Sequence, residues 1–194
     1  MAITLEELAK EVQKLKDIEE IKVLKARYSD MCDSNHDWTQ IKDLFAPDAK
    51  WIGDPTQPWG GGNNREEIEK LFQFYQTQMD GVPGVGVLGH NPMAPQITVA
   101  DDGVHATGKW HMFGAFRMFE GRAETGSTYP DAIMGQYRAG IEIPADQKWI
   151  PVDVKIDENG NLDPNGKWFI SQLSFWDTLC ASPQDGWDDK VIQW

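Results

Sequence analysis

Between Thr4 and Asp33 apolar residues return every three or four positions, first as Leu5, Leu8, Val12 and Leu15, then as Ile18, Ile21, Leu24, Tyr28 and Met31. That spacing draws an apolar stripe down one side of a helix. It predicts helix over 4–33 in two pieces, because Thr4 with Glu7 and Asp17 with Glu20 both have capping-box spacing. The first stripe is too short for a coiled coil and reads as an arm, residues 1–16, that docks on another chain or on the domain body. The second stripe turns Tyr28 inward. A short helix is predicted from Asp37 as N-cap to Phe45, stopped at Ala46-Pro47-Asp48. A third starts at Asn64, with Glu67 at the matching spacing, and buries Ile68, Leu71, Phe72, Tyr75 and Met79.

Past residue 80 the period shortens to two, the alternation of strands with unlike faces. Strands are predicted over 85–90, 95–100, 104–118, 133–143, 149–156 and 167–177, with a short one at Lys50-Trp51-Ile52. Asp101-Asp102-Gly103 and Glu158-Asn159-Gly160-Asn161 mark hairpin turns. Helices first and antiparallel strands after make an α+β class. Trp59-Gly60-Gly61-Gly62-Asn63 reads as a flexible loop, a mobile lip over a pocket. It is not a phosphate loop, since it lacks the Lys-Ser/Thr ending and a preceding strand–helix unit.

Composition narrows the partners. The chain has 194 residues, enough for one domain with a sizeable core. Its net charge of −13 argues against nucleic acid and anionic membranes and for a neutral or apolar small ligand. Cys32 and Cys180 form neither a disulfide framework nor a metal-ligand spacing, which suits a cytoplasmic home. No apolar run reads as a signal peptide or membrane span. The nine Trp residues are mostly core material, with a few left to line a cavity. Trp187 and Trp194 lie in a tail, 181–194, that needs a cover and points to a subunit contact.

The candidate chemistry rests on His90, Asp33 and Tyr28. A carboxylate accepting from an imidazole holds one tautomer and supports its charged form, so His90 is a candidate general base and acid near neutral pH. Alone, His90 reads equally as a loop histidine and Asp33 as a helix-end residue; the pair carries more weight than either. Tyr28 offers a neutral hydroxyl to polarise a carbonyl or phenol, or is a core tyrosine. Arg138 is a candidate anion contact on the sheet, against a surface or subunit salt bridge, and Arg117 has the same alternatives. His36-Asp37 reads as a cap at a turn. His111 falls on the strand face opposite Trp110 and Met112. With no Cys/His cluster and no HExxH, neither a metal nor another cofactor is expected.

The run from Ile18 to Trp51, with Tyr28, Asp33, Asp37-Trp38 and Phe45-Ala46-Pro47-Asp48-Ala49, resembles the N-terminal half of SnoaL-like proteins of the NTF2-like superfamily. Gly89-His90-Asn91-Pro92, Gly108-Lys109-Trp110 and Gly166-Lys167-Trp168-Phe169-Ile170 extend the likeness. The resemblance implies an NTF2-like cone, a curved antiparallel sheet wrapped around helices with a central apolar pocket, over residues 17–180. It is most similar to the bile-acid 7α-dehydratases and, further off, the scytalone dehydratases. It carries their motif Asp to Asp33, their His to His90 and a helix Tyr to Tyr28; where the bile-acid enzymes have an Arg on the last strand, Asp177 or a neighbour stands. Lignin-dimer γ-formaldehyde lyases are a second related group. The implied activity is a cofactor-independent lyase that eliminates water or formaldehyde from a hydroxylated aromatic or polycyclic compound, with Trp51, Trp110, Met112, Arg138 and Trp176 around the substrate. The implied assembly is a homo-oligomer, trimer or dimer. An isomerase or cyclase, a ligand carrier, or a scaffold like the small subunit of a ring-hydroxylating dioxygenase are the alternatives. The stretch 145–166 is longer than in those dehydratases and reads as an inserted lid or subunit contact.

Overall fold

The computed structural model describes residues 3–53, 60–79, 88–116, 133–139 and 153–181, with backbone alone at 78–79, 88, 114–116, 133–139 and 176–181. Helix α1 runs unbroken from Leu5 to Asp33. Its start is the predicted capping box: the Thr4 hydroxyl accepts from the Glu7 N–H at 3.2 Å, and the Glu7 carboxylate accepts from the Thr4 N–H at 2.8 Å. The expected second start does not occur. Asp17 is buried and accepts instead from Lys155 Nζ at 2.8 Å, Trp168 Nε1 at 3.0 Å and Gln13 Nε2 at 3.2 Å. A short carboxylate interrupts a helix by bonding its own backbone; with an ammonium and an indole N–H in reach, Asp17 bonds across to the sheet and the helix continues.

Two turns along, Lys25 Nζ lies 3.1 Å from Asp153 Oδ1, and both side chains are buried. Each ammonium also stands over an indole, Lys25 5.1 Å from the Trp110 ring centre and Lys155 5.8 Å from that of Trp168. Ile21, Leu24 and Met31 are buried as their stripe predicts. The earlier stripe stays exposed, with Leu5 86% accessible.

After α1 come a single 3₁₀ turn, Trp38–Gln40, capped by Asp37, and α2, Ile41–Leu44. Then follow β1 (Phe45–Ile52), β2 (Gly61–Gly62), α3 (Arg65–Met79), β3 (Leu88–Val99), β4 (His105–Phe116), β5 (Ile133–Ala139), β6 (Asp153–Ile156) and β7 (Lys167–Ala181). They form one seven-stranded sheet in the order β2-β1-β7-β5-β4-β3. The sixth strand lies end to end with β5 in the lane between β4 and β7. The core joins α1, α2 and α3 to β1 and β7 through Ile21, Met31, Ile41, Phe45, Phe72 and Ile170.

Two expectations are corrected here. The sheet is mixed, because β1 runs parallel to β7; the two strands lie far apart in the chain, so no hairpin dictates their direction. Gly61-Gly62 is strand β2 on the edge beside Trp51 and Ile52, and not a loose loop. A Cβ on Gly62 would fall 2.9 Å from Ile68 Cγ1 and Ile68 N, so the bare backbone lets α3 settle onto the strand. Residues 153–156 are the sheet strand β6, within the strand predicted over 149–156, and are followed by the predicted turn, with Gly160 at φ 83; of the stretch 145–166 read as an inserted lid or subunit contact, 145–152 lies outside the described residues.

The segments predicted as separate strands over 85–90 and 95–100 are the single strand β3, bulged between Met93 and Gln96. Residue Met93 faces His111 and Gln96 faces Lys109, so three steps on β3 match two on β4. Ala94 inside the bulge has φ 49. One extra residue reverses strand parity. The bulge thus puts His90 on the same face as Ile97 and Val99, which its even number would otherwise forbid.

Candidate active site

Asp33 is the last residue of α1, and His90 sits near the start of β3. His90 donates twice to the same carboxylate. Its Nδ1 is 2.6 Å from Asp33 Oδ1, and its backbone N–H reaches Oδ1 at 3.1 Å and Oδ2 at 3.2 Å. A carboxylate at a helix C-terminus faces the negative end of the helix dipole, and the last turn of α1 contains no basic residue. The two N–H groups of His90 compensate it, which locks strand to helix and ring to strand. Donation from Nδ1 places the imidazole proton there and makes Nε2 the basic nitrogen. The His90 side chain is 13% exposed and that of Asp33 30%.

Tyr28 lies one turn before Cys32 on α1, and its hydroxyl accepts from Trp51 Nε1 at 2.8 Å. Burial holds the Tyr28 phenol well above its ordinary range, with nearby Cys32 adding to the rise. Burial likewise pushes the Cys32 thiol up, while a hydrogen bond from the Tyr28 hydroxyl works the other way. Both groups therefore stay uncharged. Trp51 alternates inward on β1 and meets Phe72, Tyr75 and Phe175 edge-on, at ring separations of 5.7, 6.4 and 5.0 Å.

The residue that sequence reasoning assigned only to a turn is His36. Asn35 and His36 follow α1 with φ of 60 and 52, both in the left-handed region. The turn is closed by the His36 N–H on Cys32 O and the Asp37 N–H on Met31 O, and Asp37 is the cap, accepting from the Thr39 N–H. Two left-handed residues in a row swing the His36 ring back over the helix end. It packs against Phe72 at 5.6 Å and Tyr75 at 5.4 Å, and stands perpendicular to the His90 ring at 6.3 Å between centroids. Its Nδ1 is buried without a hydrogen-bond partner among the described residues. Burial lowers the His36 imidazole to about 4, with His90 contributing in the same direction and Asp33 opposing it. The one sequence signal for this arrangement is Asn35-His36 itself, two residue types enriched at left-handed positions, directly after a helix.

A continuous run of rings therefore leads from Trp51 through Phe72 and His36 to His90. Met112 joins that face: it is buried on β4 opposite Pro92, two residues along from the Gly114 that faces His90. Trp110 is directed away from His90. Its ring folds back over Gly108, where a Cβ would fall 2.2 Å from the ring, and it covers Lys25 in the ion-pair cluster. His111 faces Met93 and Arg138 in register, opposite in parity to Met112. Arg138 and Trp176 face each other across β5 and β7, and Asp177 faces Tyr137; these side chains, and all of Arg117, lie outside the described residues. Among the described residues no cluster of three or more His, Cys, Asp or Glu is placed to hold a metal, and no helix is long and apolar enough to cross a membrane.

The sequence pattern of the SnoaL-like domain matches residues 13–149. No curated protein sequence matches the chain. Among solved structures, the chain is similar to a scytalone dehydratase-like protein of Novosphingobium aromaticivorans, with 18% identity, a TM-score of 0.59, and coverage of 88% of this chain and 89% of that one. A second, described as an NTF2-like protein with a cystatin-like fold from the same organism, has 19% identity and a TM-score of 0.53 over 90% of each chain. The third is the hexachlorocyclohexane dehydrochlorinase LinA-type3 of Novosphingobium barchaimii, with 11% identity, a TM-score of 0.60, and coverage of 88% of this chain and 92% of that one. At these identities the likeness establishes a shared NTF2-like fold, which hosts many chemistries.

Proposed function

This chain belongs to the SnoaL-like domain family, and from that premise we propose that it is a lyase that converts a small hydroxylated aromatic or polycyclic compound by acid–base chemistry. The observation that carries the reading is the 2.6 Å contact between His90 Nδ1 and Asp33 Oδ1, with the His90 backbone N–H on the same carboxylate. Nε2 of His90 takes a proton from a substrate carbon, and the electron pair left behind expels the departing group. The imidazolium, held by Asp33, then returns its proton to the leaving hydroxyl, so one residue acts as base and acid in turn. Loss of water follows this proton traffic. In loss of formaldehyde Nε2 instead takes the proton of the hydroxymethyl O–H, the carbon–carbon bond breaks as the C=O of formaldehyde forms, and the imidazolium returns the proton to the carbon that keeps the electron pair. Tyr28 and Trp51 contribute an uncharged wall for an aromatic substrate, with Met112 on the sheet face. The fold neighbours that include a dehydrochlorinase and a dehydratase-like protein support an eliminating enzyme as the class.

The test is mass spectrometry of the purified protein incubated with hydroxylated steroids, naphthols and lignin-type diaryl diols. A product lighter by water identifies a dehydratase, and one lighter by formaldehyde a carbon–carbon lyase. Asp33→Asn and His90→Ala are expected to lower kcat/KM about 10²–10⁴-fold, the usual range for positioned acid–base groups. Intact turnover in both variants would remove the mechanism, and a protein that changes no compound and acts only beside a catalytic subunit would be the scaffold instead.

A further inference from the structure

His36 is the one imidazole beside the dyad to which the acid–base reading gives no task. Three features set it apart from a packing residue. The chain holds two successive non-glycine residues, Asn35 and His36, at positive φ to place its ring there. Left-handed backbone in such residues is a cost that persists where surrounding structure enforces it, and it gathers at functional sites. The ring is wedged among Phe72, Tyr75 and His90, tilted to the first and edge-on to the other two, and a phenylalanine would fill that space equally well. Finally, Nδ1 is buried and has no hydrogen-bond partner among the described residues, which for a polar atom is a penalty that an apolar ring would not carry.

The unpartnered nitrogen also decides where the proton sits. A neutral imidazole has one N–H and one lone pair. A buried N–H without an acceptor is rarer and costlier than a buried acceptor without a donor, so Nδ1 holds the lone pair and Nε2 the hydrogen. Burial keeps the ring uncharged at neutral pH, so His36 does not compete with His90 for the catalytic proton. The His36 and His90 rings are direct edge-to-face neighbours, 6.3 Å between centres, so the two imidazoles stand side by side in the site.

We propose that His36 is a third catalytic side chain of this site, whose Nε2–H donates to the substrate oxygen on which negative charge builds when His90 removes a proton from carbon. The inference rests on the acid–base reading of His90 and Asp33 and adds a residue to it, for a substrate with a carbonyl beside the carbon that loses the proton and a hydroxyl on the β carbon. His90 Nε2 takes the proton from the carbon next to the carbonyl, and the C–H electron pair moves into a C=C–O⁻ enolate held by His36 N–H. The enolate then re-forms the carbonyl, a C=C bond forms towards the β carbon, and the C–O bond breaks as the hydroxyl leaves with the proton from His90. Water is lost and no oxidant is needed. A neutral donor suits such an oxygen, since it stabilises the charge without protonating it. Tyr28 is less available for the task because its hydroxyl is engaged with Trp51 and Cys32.

The experiment compares 4-nitrophenolate, a charged oxygen on an aromatic ring, with nitrobenzene, which lacks that oxygen. Binding is titrated by absorbance for the wild-type protein, His36→Phe and His36→Gln, with urea denaturation confirming that each is folded. His36→Phe is expected to weaken 4-nitrophenolate binding about tenfold or more, the loss of one hydrogen bond to a charged acceptor, and to leave nitrobenzene unchanged. His36→Gln keeps an N–H donor and is expected to recover most of the difference. An equal effect on both probes, no effect of His36→Phe, or no recovery in a folded His36→Gln overturns the proposal. Failure of the underlying reading shows elsewhere: His90→Ala would then retain turnover, whatever the two probes do.

Discussion

His36 carries an energetic signature that can be read without any substrate. Its imidazole titrates at 6.5 when exposed and at about 4 in the folded protein. The unfolded chain therefore binds the proton first as pH falls. Stability from this residue is complete above about 6.5 and is lost progressively down to about 4, by at most about 3 kcal/mol. His36→Phe removes that loss, so the variant's stability relative to the wild type is expected to be greater in acid than at neutrality. Urea midpoints of the two proteins near pH 7 and near pH 4.5 check this; a gap between them that does not change with pH would refute it. The same residue shows the limit of residue-level reading. Asp33, His90 and Tyr28 stand out because their chemistry is conspicuous, and the structure joins Asp33 to His90 directly. His36 looks like part of a cap next to Asp37, since nothing in its neighbours reveals that the chain turns back over the helix end.

At the scale of elements, the β3 bulge aims the site. His90 and Val99 are both directed to the α1 face only because Met93–Gln96 contains one residue more than its partner stretch on β4. Exposed Ala94 pays for the bulge with a φ of 49. Ala94→Gly is expected to stabilise the protein by up to about 1 kcal/mol, because glycine adopts that backbone freely. Ala94→Val is expected to destabilise it by about 1–2 kcal/mol, because a β-branched residue tolerates positive φ poorly. Thermal or chemical denaturation of the two variants decides the matter, and the opposite order would mean that the bulge is not the strained feature described. Pattern reading located the strands on both sides of the bulge but took the break in alternation for a break in the strand.

For the whole molecule, the two buried ion pairs both join α1 to β6, and they are not equivalent. Asp17 accepts from Lys155, Trp168 and Gln13. Asp153 has Lys25 Nζ at 3.1 Å, yet among the described residues neither of its oxygens has a well-aligned hydrogen bond. Burial raises the Asp153 carboxyl above its ordinary range, with Lys25 acting against the rise. Lys155→Met leaves the Asp17 charge buried beside an uncharged partner and is expected to cost about 3–5 kcal/mol. Replacing Lys25 and Asp153 together by Met and Leu removes both desolvation penalties and is expected to be near neutral or stabilising. Urea denaturation of the two proteins tests the contrast; a double replacement as costly as Lys155→Met would show that the second pair contributes net stability.

Local pattern alone determined a large part of this protein. The helix stripe, the Thr4 and Asn64 starts, the turns at Gly103 and Gly160 and the α+β order are set within a few residues by periodicity, capping and turn chemistry, so the sequence is sufficient for them. The Asp33–His90 pairing is partly of this kind: the two residue types announce the chemistry, and the fold brings them together. The rest is decided only by contacts distant in the chain. Whether Asp17 starts a helix or joins an ion pair depends on Lys155 and Trp168, far along the sequence. The parallel β1–β7 pairing, the strand made by Gly61-Gly62 beneath α3, and the swing of His36 against Phe72, Tyr75 and His90 all depend on surfaces that exist only once the sheet and helices have assembled. Short-range energies are fully present in the sequence, whereas packing and desolvation, which select among the conformations those energies allow, come into force with the tertiary structure.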